Sequence, residues 1–424
     1  MKSLSQLTRA GWAVLLLLSV AGSSLADWPQ FRGPGSAGVA DVSGLPAEWT
    51  ATQNVQWTQR LPGYGASSPI VVGDRIYVTG YSGYGAEQGS QGSAADLQRH
   101  LACYNLADGQ EMFNIAVQPK VQENEYSGFL NLHGYASSTP ASDGERLYVF
   151  FGASGVYAFS LDGQQLWQQS VGDGTHGWGS ASSPVVVGDL VIVNALVESG
   201  AVVALNKNTG QEVWRAEDVQ EAWNTPVVVQ VPGGRTELVI SSQGEILGYD
   251  PQSGELLWRC RGIEDYVCPS VVAHDGIVYA IGGRGGAALA VRAGGRGDVT
   301  QSHRLWTLNK GANVCSPIYY RGHLYWVHDQ RGMAYCADAA TGELVYEERI
   351  APRPGRIYGS PLLADGKLYI QTRENGTFVL AAKPEYVLVA HNPPLDESMA
   401  NASPVAVDGR LLLRSNEYLY CISQ

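Results

Sequence analysis

Short apolar runs alternate with tight-turn residues along this chain, and the stretch 182–214 shows the pattern most clearly. Apolar residues fill 185–187, 190–193 and 201–205, with Gly-Asp and Ser-Gly turns between the runs. An Asn-Thr-Gly turn at 208–210 leads into a further run that carries Trp214. Turn glycines between short apolar runs are typical of hairpins. The stretch therefore predicts four antiparallel strands, and such a unit needs copies of itself on both sides to bury its faces.

The copies are marked by a Ser-Pro or Thr-Pro pair at the start of an apolar run. The marks lie 42 to 48 residues apart after a first interval of 71 residues. The prolines are Pro69, Pro140, Pro184, Pro226, Pro317, Pro361 and Pro404, with a permuted Cys268-Pro269-Ser270 between the fourth and the fifth. In the fourth run of each unit an aromatic residue recurs, usually four positions after a turn glycine. These aromatics are Trp57, Phe113, Trp167, Trp214, Trp258, Trp306, Tyr346 and Tyr386.

A period of about 40–45 residues with four strands per unit is the sequence signature of a β-propeller. The marks predict an all-β fold, an eight-bladed propeller of four-stranded antiparallel blades forming a single domain over 27–424. The last repeat, 403–423, shows three strands, and an unassigned strand lies at 54–60. We expect this N-terminal strand to complete the C-terminal blade and close the ring. Insertions at 83–100, 120–132 and 293–298 either meet a partner or are tolerated surface length.

Residues 1–26 have the features of a signal peptide rather than of the fold. Lys2 and Arg9 precede or flank a short apolar core, and Ser-Leu-Ala ends at Ala26. No cysteine follows this cleavage site and no later run is long enough to span a membrane, so we expect no lipid anchor and no membrane span. Removing the segment changes the formal net charge from −12 to −14. We therefore expect a periplasmic or secreted protein that does not bind nucleic acid or an anionic membrane surface.

A candidate ligand site lies in the loops just ahead of the Ser/Thr-Pro marks. Several of these loops carry an aromatic residue, and His-Gly-aromatic occurs in two adjacent repeats. The candidate residues are Tyr64, His133, Tyr135, His176, Trp178, Trp223, Tyr266 and Tyr358. The repeat places them around one mouth of the central channel, where aromatic, hydroxyl and imidazole groups suit a protein partner, a sugar face or a flat small molecule. The alternative is that the rings pack the loops and the histidines make local hydrogen bonds.

The six cysteines give no metal motif, because none are spaced as CxxC. Cys103, Cys336 and Cys421 fall in the third strands of their repeats, where small buried residues are expected. Cys268 and Cys315 begin the innermost strands of neighbouring repeats. An exported chain favours oxidation where geometry permits, so this pair is a candidate disulfide that the sequence leaves open.

The turn-plus-aromatic units at 160–167, 208–214 and 252–258 resemble the tryptophan-docking repeats of pyrroloquinoline-quinone-like (PQQ-like) propellers. The opening at 27–34 and the stretch 133–140 resemble an exported bacterial branch of that superfamily. The resemblance covers nearly all of the chain after residue 26 and implies the propeller fold. It leaves two kinds of functional relative, the quinoprotein alcohol and glucose dehydrogenases and the non-enzymatic propeller subunit of the outer-membrane barrel assembly machinery.

The dehydrogenases resemble one another in a disulfide between adjacent cysteines over the quinone, with a tryptophan beneath it and a calcium ion beside a catalytic aspartate. Here no two cysteines are adjacent, and none of the calcium ligands matches a position. No cofactor, metal or catalytic residue is therefore assigned. The sequence favours an exported, non-enzymatic binding or scaffold propeller that meets a protein or small molecule at one face. The alternatives are a PQQ-dependent oxidoreductase and, third, a lyase or hydrolase that uses the channel mouth.

Overall fold

The computed structural model describes residues 27–87, 90–217 and 219–424, and the signal-peptide prediction lies outside them. The regular secondary structure of the described part is almost entirely β, and its sheets confirm the predicted eight-bladed propeller. Within these residues, no helix is long and apolar enough to cross a membrane. The helical turns are Pro34–Ser36, Ala94–Asp96, Leu130–Leu132, Gly152–Ser154, Leu196–Ser199 and Thr300–His303.

Each of the first four blades is an antiparallel sheet whose strands follow one another in sequence. Blade 1 contains Ile70–Val72, Arg75–Ser82, Gln98–Asn105 and Glu111–Val117. Blade 2 contains Ala141–Ser142, Arg146–Phe150, Val156–Ser160 and Gln165–Gln169. Blade 3 contains Val185–Val187, Leu190–Ala195, Ala201–Asn206 and Glu212–Ala216. Blade 4 contains Val227–Val231, Arg235–Ser242, Glu245–Tyr249 and Leu256–Arg261.

The other four blades repeat this order until the last one. Blade 5 contains Val272–His274, Ile277–Gly282, Ala287–Arg292 and Arg304–Leu308. Blade 6 contains Ile318–Tyr320, His323–Val327, Met333–Asp338 and Leu344–Arg349. Blade 7 contains Leu362–Ala364, Lys367–Gln371, Thr377–Ala381 and Leu388–Asn392. Blade 8 contains Val405–Val407, Arg410–Arg414 and Tyr418–Ile422, and its fourth strand is Val55–Arg60.

The pairing of Val55–Arg60 with Tyr418–Ile422 is antiparallel and joins the two ends of the chain in one sheet. Two further backbone bonds flank it, from Leu61 N–H to the Glu417 carbonyl (2.8 Å) and from Ser423 N–H to the Asn54 carbonyl (3.0 Å). The third strand of blade 8 therefore has no free edge, which is the arrangement expected from a repeat that lacks one strand at each end.

The Ser/Thr-Pro marks form a closed ring of hydrogen bonds around the propeller axis. In each blade the backbone N–H of the marked Ser or Thr donates to the side-chain hydroxyl of the same residue in the next blade, over 2.9–3.0 Å. The ring consists of Ser68, Thr139, Ser183, Thr225, Ser270, Ser316, Ser360 and Ser403. Ser270 takes the blade-5 place although its proline precedes it. The recurring hydroxyl therefore satisfies a buried backbone donor in the neighbouring blade.

The aromatic residues of the fourth strands join one blade to the next. The Trp167 ring faces Gly210 of blade 3, where an added Cβ would lie 2.7 Å from the indole, and its Nε1–H donates to the Lys207 carbonyl at 3.0 Å. Trp57, Trp214 and Trp306 make the equivalent contacts, with Nε1 bonds of 3.2, 3.0 and 3.0 Å. The turn glycines have φ near +70°, where a residue with a Cβ is strained, and they also leave room for the ring.

Trp258 departs from this series. Its ring is fully buried against Gly248 of its own blade, and its Nε1–H donates to Glu237 Oε2 at 2.7 Å. The following turn in blade 5 is replaced by the insertion at 293–298, whose Gly294 N–H also donates to that carboxylate, at 3.1 Å. Gly297–Asp298 then pairs in parallel with the blade-4 outer strand. Trp258 therefore docks differently from Trp214, because the insertion at 293–298 takes the place of the turn glycine in blade 5.

The N-terminal segment runs across one face of the propeller, here called the bottom face. Trp28 pairs with Val71 of blade 1, and the Arg32 guanidinium donates to the Pro317 carbonyl of blade 6. Farther along, Val39–Ala40 pairs in parallel with the innermost strand of blade 7. The segment thus connects blades 1, 6 and 7, and between these contacts Phe31 lies at the central channel. The sequence identified it only as lying outside the repeat.

Candidate functional site

A cavity of about 460 Å³ lies on the propeller axis. All eight hydroxyl residues of the ring line it, and Phe31 of the N-terminal segment lines it as well. Its remaining wall comes from the loops that lead into the innermost strands and from the loops between second and third strands. We call the face that carries these loops the top face. The size is in the usual range for a small-molecule site.

Five of the eight predicted residues line this cavity: His133, Trp178, Trp223, Tyr266 and Tyr358. Trp178 is the centre of an aromatic cluster, with ring centroids 4.9 Å from Trp223 and 4.7 Å from Tyr266. Trp223 is fixed by a 3.0 Å bond from its Nε1–H to the Gly179 carbonyl. Rings from three successive blades therefore form one continuous wall of the site.

The structure places Tyr64, Tyr135 and His176 away from the cavity wall. Tyr64 donates its hydroxyl to Glu417 at 3.1 Å, and Tyr135 is buried and donates to the Asn124 carbonyl at 2.7 Å. Tyr135 also packs against the blade-1 insertion, with its ring centroid 5.8 Å from that of Tyr84. His176 is exposed and covers the outer side of Trp178 and Trp223. Tyr135 is thus covered by the insertions, whereas Tyr64 and His176 pack against neighbouring loops of the top face.

His133 is held as a neutral imidazole. Its Nε2 lies 2.7 Å from the Trp178 carbonyl, which can only accept, so Nε2 carries the proton. Its Nδ1 lies 2.6 Å from the Ser137 hydroxyl, which donates to it. Burial lowers the pKa of His133, and nearby Arg373 lowers it further. Both ring nitrogens are therefore used within the protein, which favours a positioning role over proton transfer.

The segment 129–133 forms a strap over the top of the cavity. The Leu132 carbonyl accepts from Arg373 Nη1 of blade 7 at 3.0 Å and from Asn401 Nδ2 of blade 8 at 2.8 Å. At the other end of the strap, the Phe129 ring packs 5.4 Å from Trp178 and remains 57% exposed. The second insertion thus reaches across the mouth and narrows access to the channel.

Sequence reasoning missed the amide and charged residues of the cavity wall, which are Asn224, Arg284, Asn313, Asp329, Gln330 and Asn401. Asp329 is fully buried, and its Oδ1 accepts from the Asn313 N–H at 2.9 Å. Arg284 stands at the rim, 4.9 Å above the Tyr266 ring. Asn224, Asn313 and Asn401 each lie one to three residues ahead of a ring hydroxyl. This recurrence is present in the sequence, but a single asparagine in a loop is too common to be recognised as a signal.

All six cysteines are free thiols, so Cys268 and Cys315 do not form the disulfide that the sequence left open. Cys268 lines the cavity, and burial raises the pKa of its thiol to about 12. Cys315 is buried behind the wall, with Sγ 3.3 Å from the Ile357 carbonyl. Cys103, Cys336 and Cys421 are buried in third strands, as small apolar residues are.

The repeats, the docking tryptophans and the axial cavity define an eight-bladed propeller of the PQQ-like class. Within this class, the family described as "Outer membrane protein assembly factor BamB" matches residues 82–329 and 298–417, and the chain belongs to that family. The assembly factor BamB of Burkholderia pseudomallei is 22% identical over 369 residues, 73% of this chain and 83% of that protein.

Two solved structures show the same fold. BamB from Moraxella catarrhalis superimposes with a TM-score of 0.60 and 13% identity, over 87% of this chain and 96% of that chain. Quinohemoprotein alcohol dehydrogenase from Comamonas testosteroni superimposes with a TM-score of 0.63 and 11% identity, over 93% of this chain and 80% of that chain. At these identities the likeness concerns the fold alone.

The cavity does not fit the quinone cofactor that the dehydrogenases of this fold use. PQQ carries three carboxylates, whereas the buried wall presents the Asp329 carboxylate and acceptor oxygens of asparagines. Burying like charges together is strongly unfavourable. In the described residues there is also no group of three or more His, Cys, Asp or Glu side chains that could hold a metal ion. We therefore derive no step through a quinone.

Proposed function

We propose that this chain is a non-enzymatic scaffold propeller of the periplasm, which assists outer membrane protein assembly and meets a partner or ligand at the top mouth of its channel. The observation that carries the proposal is the asymmetry of the channel. Its bottom face is crossed by the N-terminal segment, whereas its top face gathers Trp178, Trp223 and Tyr266 beside the exposed Phe129. Exposed aromatic residues beside a concave site are typical of binding surfaces.

Membership of the BamB family supports the scaffold role, because the matched relatives are named as outer membrane protein assembly factors. The poor fit of the cavity to a quinone supports binding over redox catalysis. The signal-peptide features of residues 1–26 support export.

Site-specific photo-cross-linking tests the proposal. A photoreactive amino acid replaces Phe129 at the mouth or, as a control of similar exposure, Val213 on the circumference (51% exposed). In intact cells we expect the Phe129 probe to cross-link a component of outer membrane protein assembly, identified by mass spectrometry, and the Val213 probe not to do so. Equal labelling from both positions, or none from Phe129, would contradict a functional top mouth.

Purified protein incubated with PQQ and calcium provides the second measurement. We expect no bound chromophore and no alcohol- or glucose-dependent dye reduction. Substrate-dependent dye reduction would instead establish the dehydrogenase alternative.

A further inference from the structure

The buried wall of the channel cavity presents hydrogen-bond acceptors that have no donor among the described residues. They are Asn224 Oδ1, Asn313 Oδ1, Asp329 Oδ2 and Asn401 Oδ1. Among the described residues, buried oxygens without a partner also occur elsewhere, but these four share one cavity. A buried polar atom without a partner costs free energy, so a cluster around a cavity indicates a ligand that supplies donors.

The orientation of these amides follows from their other contacts. Asn401 Nδ2 donates to the Leu132 carbonyl at 2.8 Å, and Asn224 Nδ2 donates to the Ser241 carbonyl at 2.7 Å. Carbonyl oxygens only accept, so each amide nitrogen must face its carbonyl and each amide oxygen must face away from it. Asn313 Nδ2 lies 2.8 Å from the Tyr266 hydroxyl, which can donate as well as accept, so the two carbonyl-bonded amides, Asn224 and Asn401, are the ones whose orientation is fixed by this argument.

Asp329 adds a charge that no basic group of the described residues neutralises. Its one basic neighbour within 4.0 Å is His328, whose Nδ1 lies 3.5 Å from Asp329 Oδ1. That Nδ1 accepts from the backbone N–H of Gln330 at 3.2 Å, so it does not carry a proton. Burial also lowers the pKa of His328 and keeps the imidazole neutral. Buried carboxylates in proteins are normally paired, which makes a cationic ligand the natural counterpart.

None of the arginines near the site forms an ion pair with Asp329 among the described residues. At the rim, Arg284 lies over Tyr266 and donates its Nε–H to that hydroxyl at 3.3 Å, and Arg373 lies 4.6 Å over the Tyr358 ring. Arg32, in the N-terminal segment, donates through Nη2 to the carbonyls of Ala37 and Pro317. Its Nε and Nη1 are buried without a partner among the described residues, but they form no ion pair with Asp329. The aromatic wall beside Asp329 presents π faces that also attract cations.

We propose that the channel binds a small organic cation with several N–H donors, of the polyamine class, with an ammonium group on Asp329. The acceptor oxygens come from blades 4, 6 and 8, so they surround the axis and suit donors distributed along an extended ligand. The strap and the cavity volume limit the occupant to a small molecule. This inference rests on the proposed use of the top mouth as a binding site.

Isothermal titration of the purified protein with spermidine tests the proposal, with sorbitol as the neutral polyol probe. We expect spermidine to bind one site and sorbitol not to bind. Asp329→Asn keeps the shape and the acceptor for the Asn313 N–H, and we expect it to weaken spermidine binding by at least about tenfold. The matched control Asp108→Asn, in an exposed turn, should change the affinity less than about twofold, since exposed charges are screened at about 0.15 M salt.

A gain-of-charge variant keeps the test independent of any damage from Asp329→Asn. In Asn313→Asp the Tyr266 hydroxyl can donate to the new carboxylate, and we expect spermidine to bind at least about threefold more tightly. The proposal is overturned if sorbitol binds and spermidine does not, if Asp329→Asn binds spermidine as the native protein does, or if Asn313→Asp weakens binding. Cross-linking from Phe129 without spermidine binding overturns this inference alone. Spermidine binding without cross-linking overturns the scaffold proposal alone.

Discussion

The contact between a docking tryptophan and the turn glycine of the next blade can be measured by a double-mutant cycle. Gly254 and Gly409 both have φ of +73°, so Gly→Ala imposes the same left-handed backbone at both positions. At Gly254 the added Cβ would lie 2.6 Å from the Trp214 ring, whereas at Gly409 it would meet nothing within 4 Å. The difference between the two substitutions therefore isolates the blade-to-blade contact.

The expected magnitudes follow from these distances. Gly409→Ala should lower the free energy of unfolding by about 1–2 kcal/mol, the cost of the left-handed backbone. Gly254→Ala should cost about 1–3 kcal/mol more, because the methyl group overpacks the indole. Trp214→Ala should cost about 3–5 kcal/mol, since the ring is buried and its Nε1–H bond to Pro251 is lost. In the Trp214→Ala protein, the loss of unfolding free energy caused by Gly254→Ala should fall to the loss caused by Gly409→Ala.

Urea unfolding followed by far-ultraviolet circular dichroism provides the free energies, with the slope checked for each variant. Equal costs for Gly254→Ala and Gly409→Ala in the native background would refute the reasoning. So would a Gly254→Ala cost that stays the same after Trp214 is removed, because the cycle would then show no coupling.

Three further predictions concern closure, pH and the mouth. Deleting 27–60 removes the fourth strand of blade 8 and should cause aggregation in size-exclusion chromatography; a monomer with an unchanged melting temperature would contradict closure at this seam. Burial raises the pKa of Glu198 to about 7 from 4.5, partly offset by the Ser180 hydrogen bond, so stability should fall as pH rises from about 4.5 to 7. Glu198→Gln should therefore raise the free energy of unfolding at pH 8 by up to about 3 kcal/mol and at pH 4 by almost nothing, whereas exposed Glu255→Gln should show no such trend. Trp178→Ala should weaken binding at the mouth by at least about 1–2 kcal/mol; a lower melting temperature with unchanged affinity would identify the ring as loop packing.

The blade architecture could be predicted because its signals lie close together in the sequence and recur in every repeat. A strand shows alternating apolar and polar residues over a few positions, and a turn glycine indicates a positive φ. Eight copies of this pattern make the assignment of strands and turns consistent along the chain. The Ser/Thr-Pro marks were informative for a reason that only the structure shows, since their hydroxyls close the ring from Ser68 back to Ser403. The place of the candidate site, at the loops ahead of those marks, followed from the same repeat.

The contents of the site could not be predicted, because they depend on contacts between residues distant in sequence. Leu132 meets Arg373 across 241 positions, and Arg32 meets Pro317 across 285. The insertion in blade 5 turned Trp258 inward onto Glu237, although its sequence context matches that of Trp214. Tyr135 carries the same local signal as Trp178, yet one is covered by an insertion and the other lines the cavity.

The sequence by itself determined the number of blades, their strand order and the residues that join them, because backbone hydrogen bonding and alternation of apolar residues act over short distances. The tertiary structure decided which side chains face the axis, which loop crosses the mouth, and that Asp329 is buried without a charged basic partner in the part of the chain that is described. Those outcomes depend on the exclusion of water from a space that exists only when all eight blades have closed. Burial, and with it the electrostatic character of the cavity, is a property of the ring rather than of any one repeat.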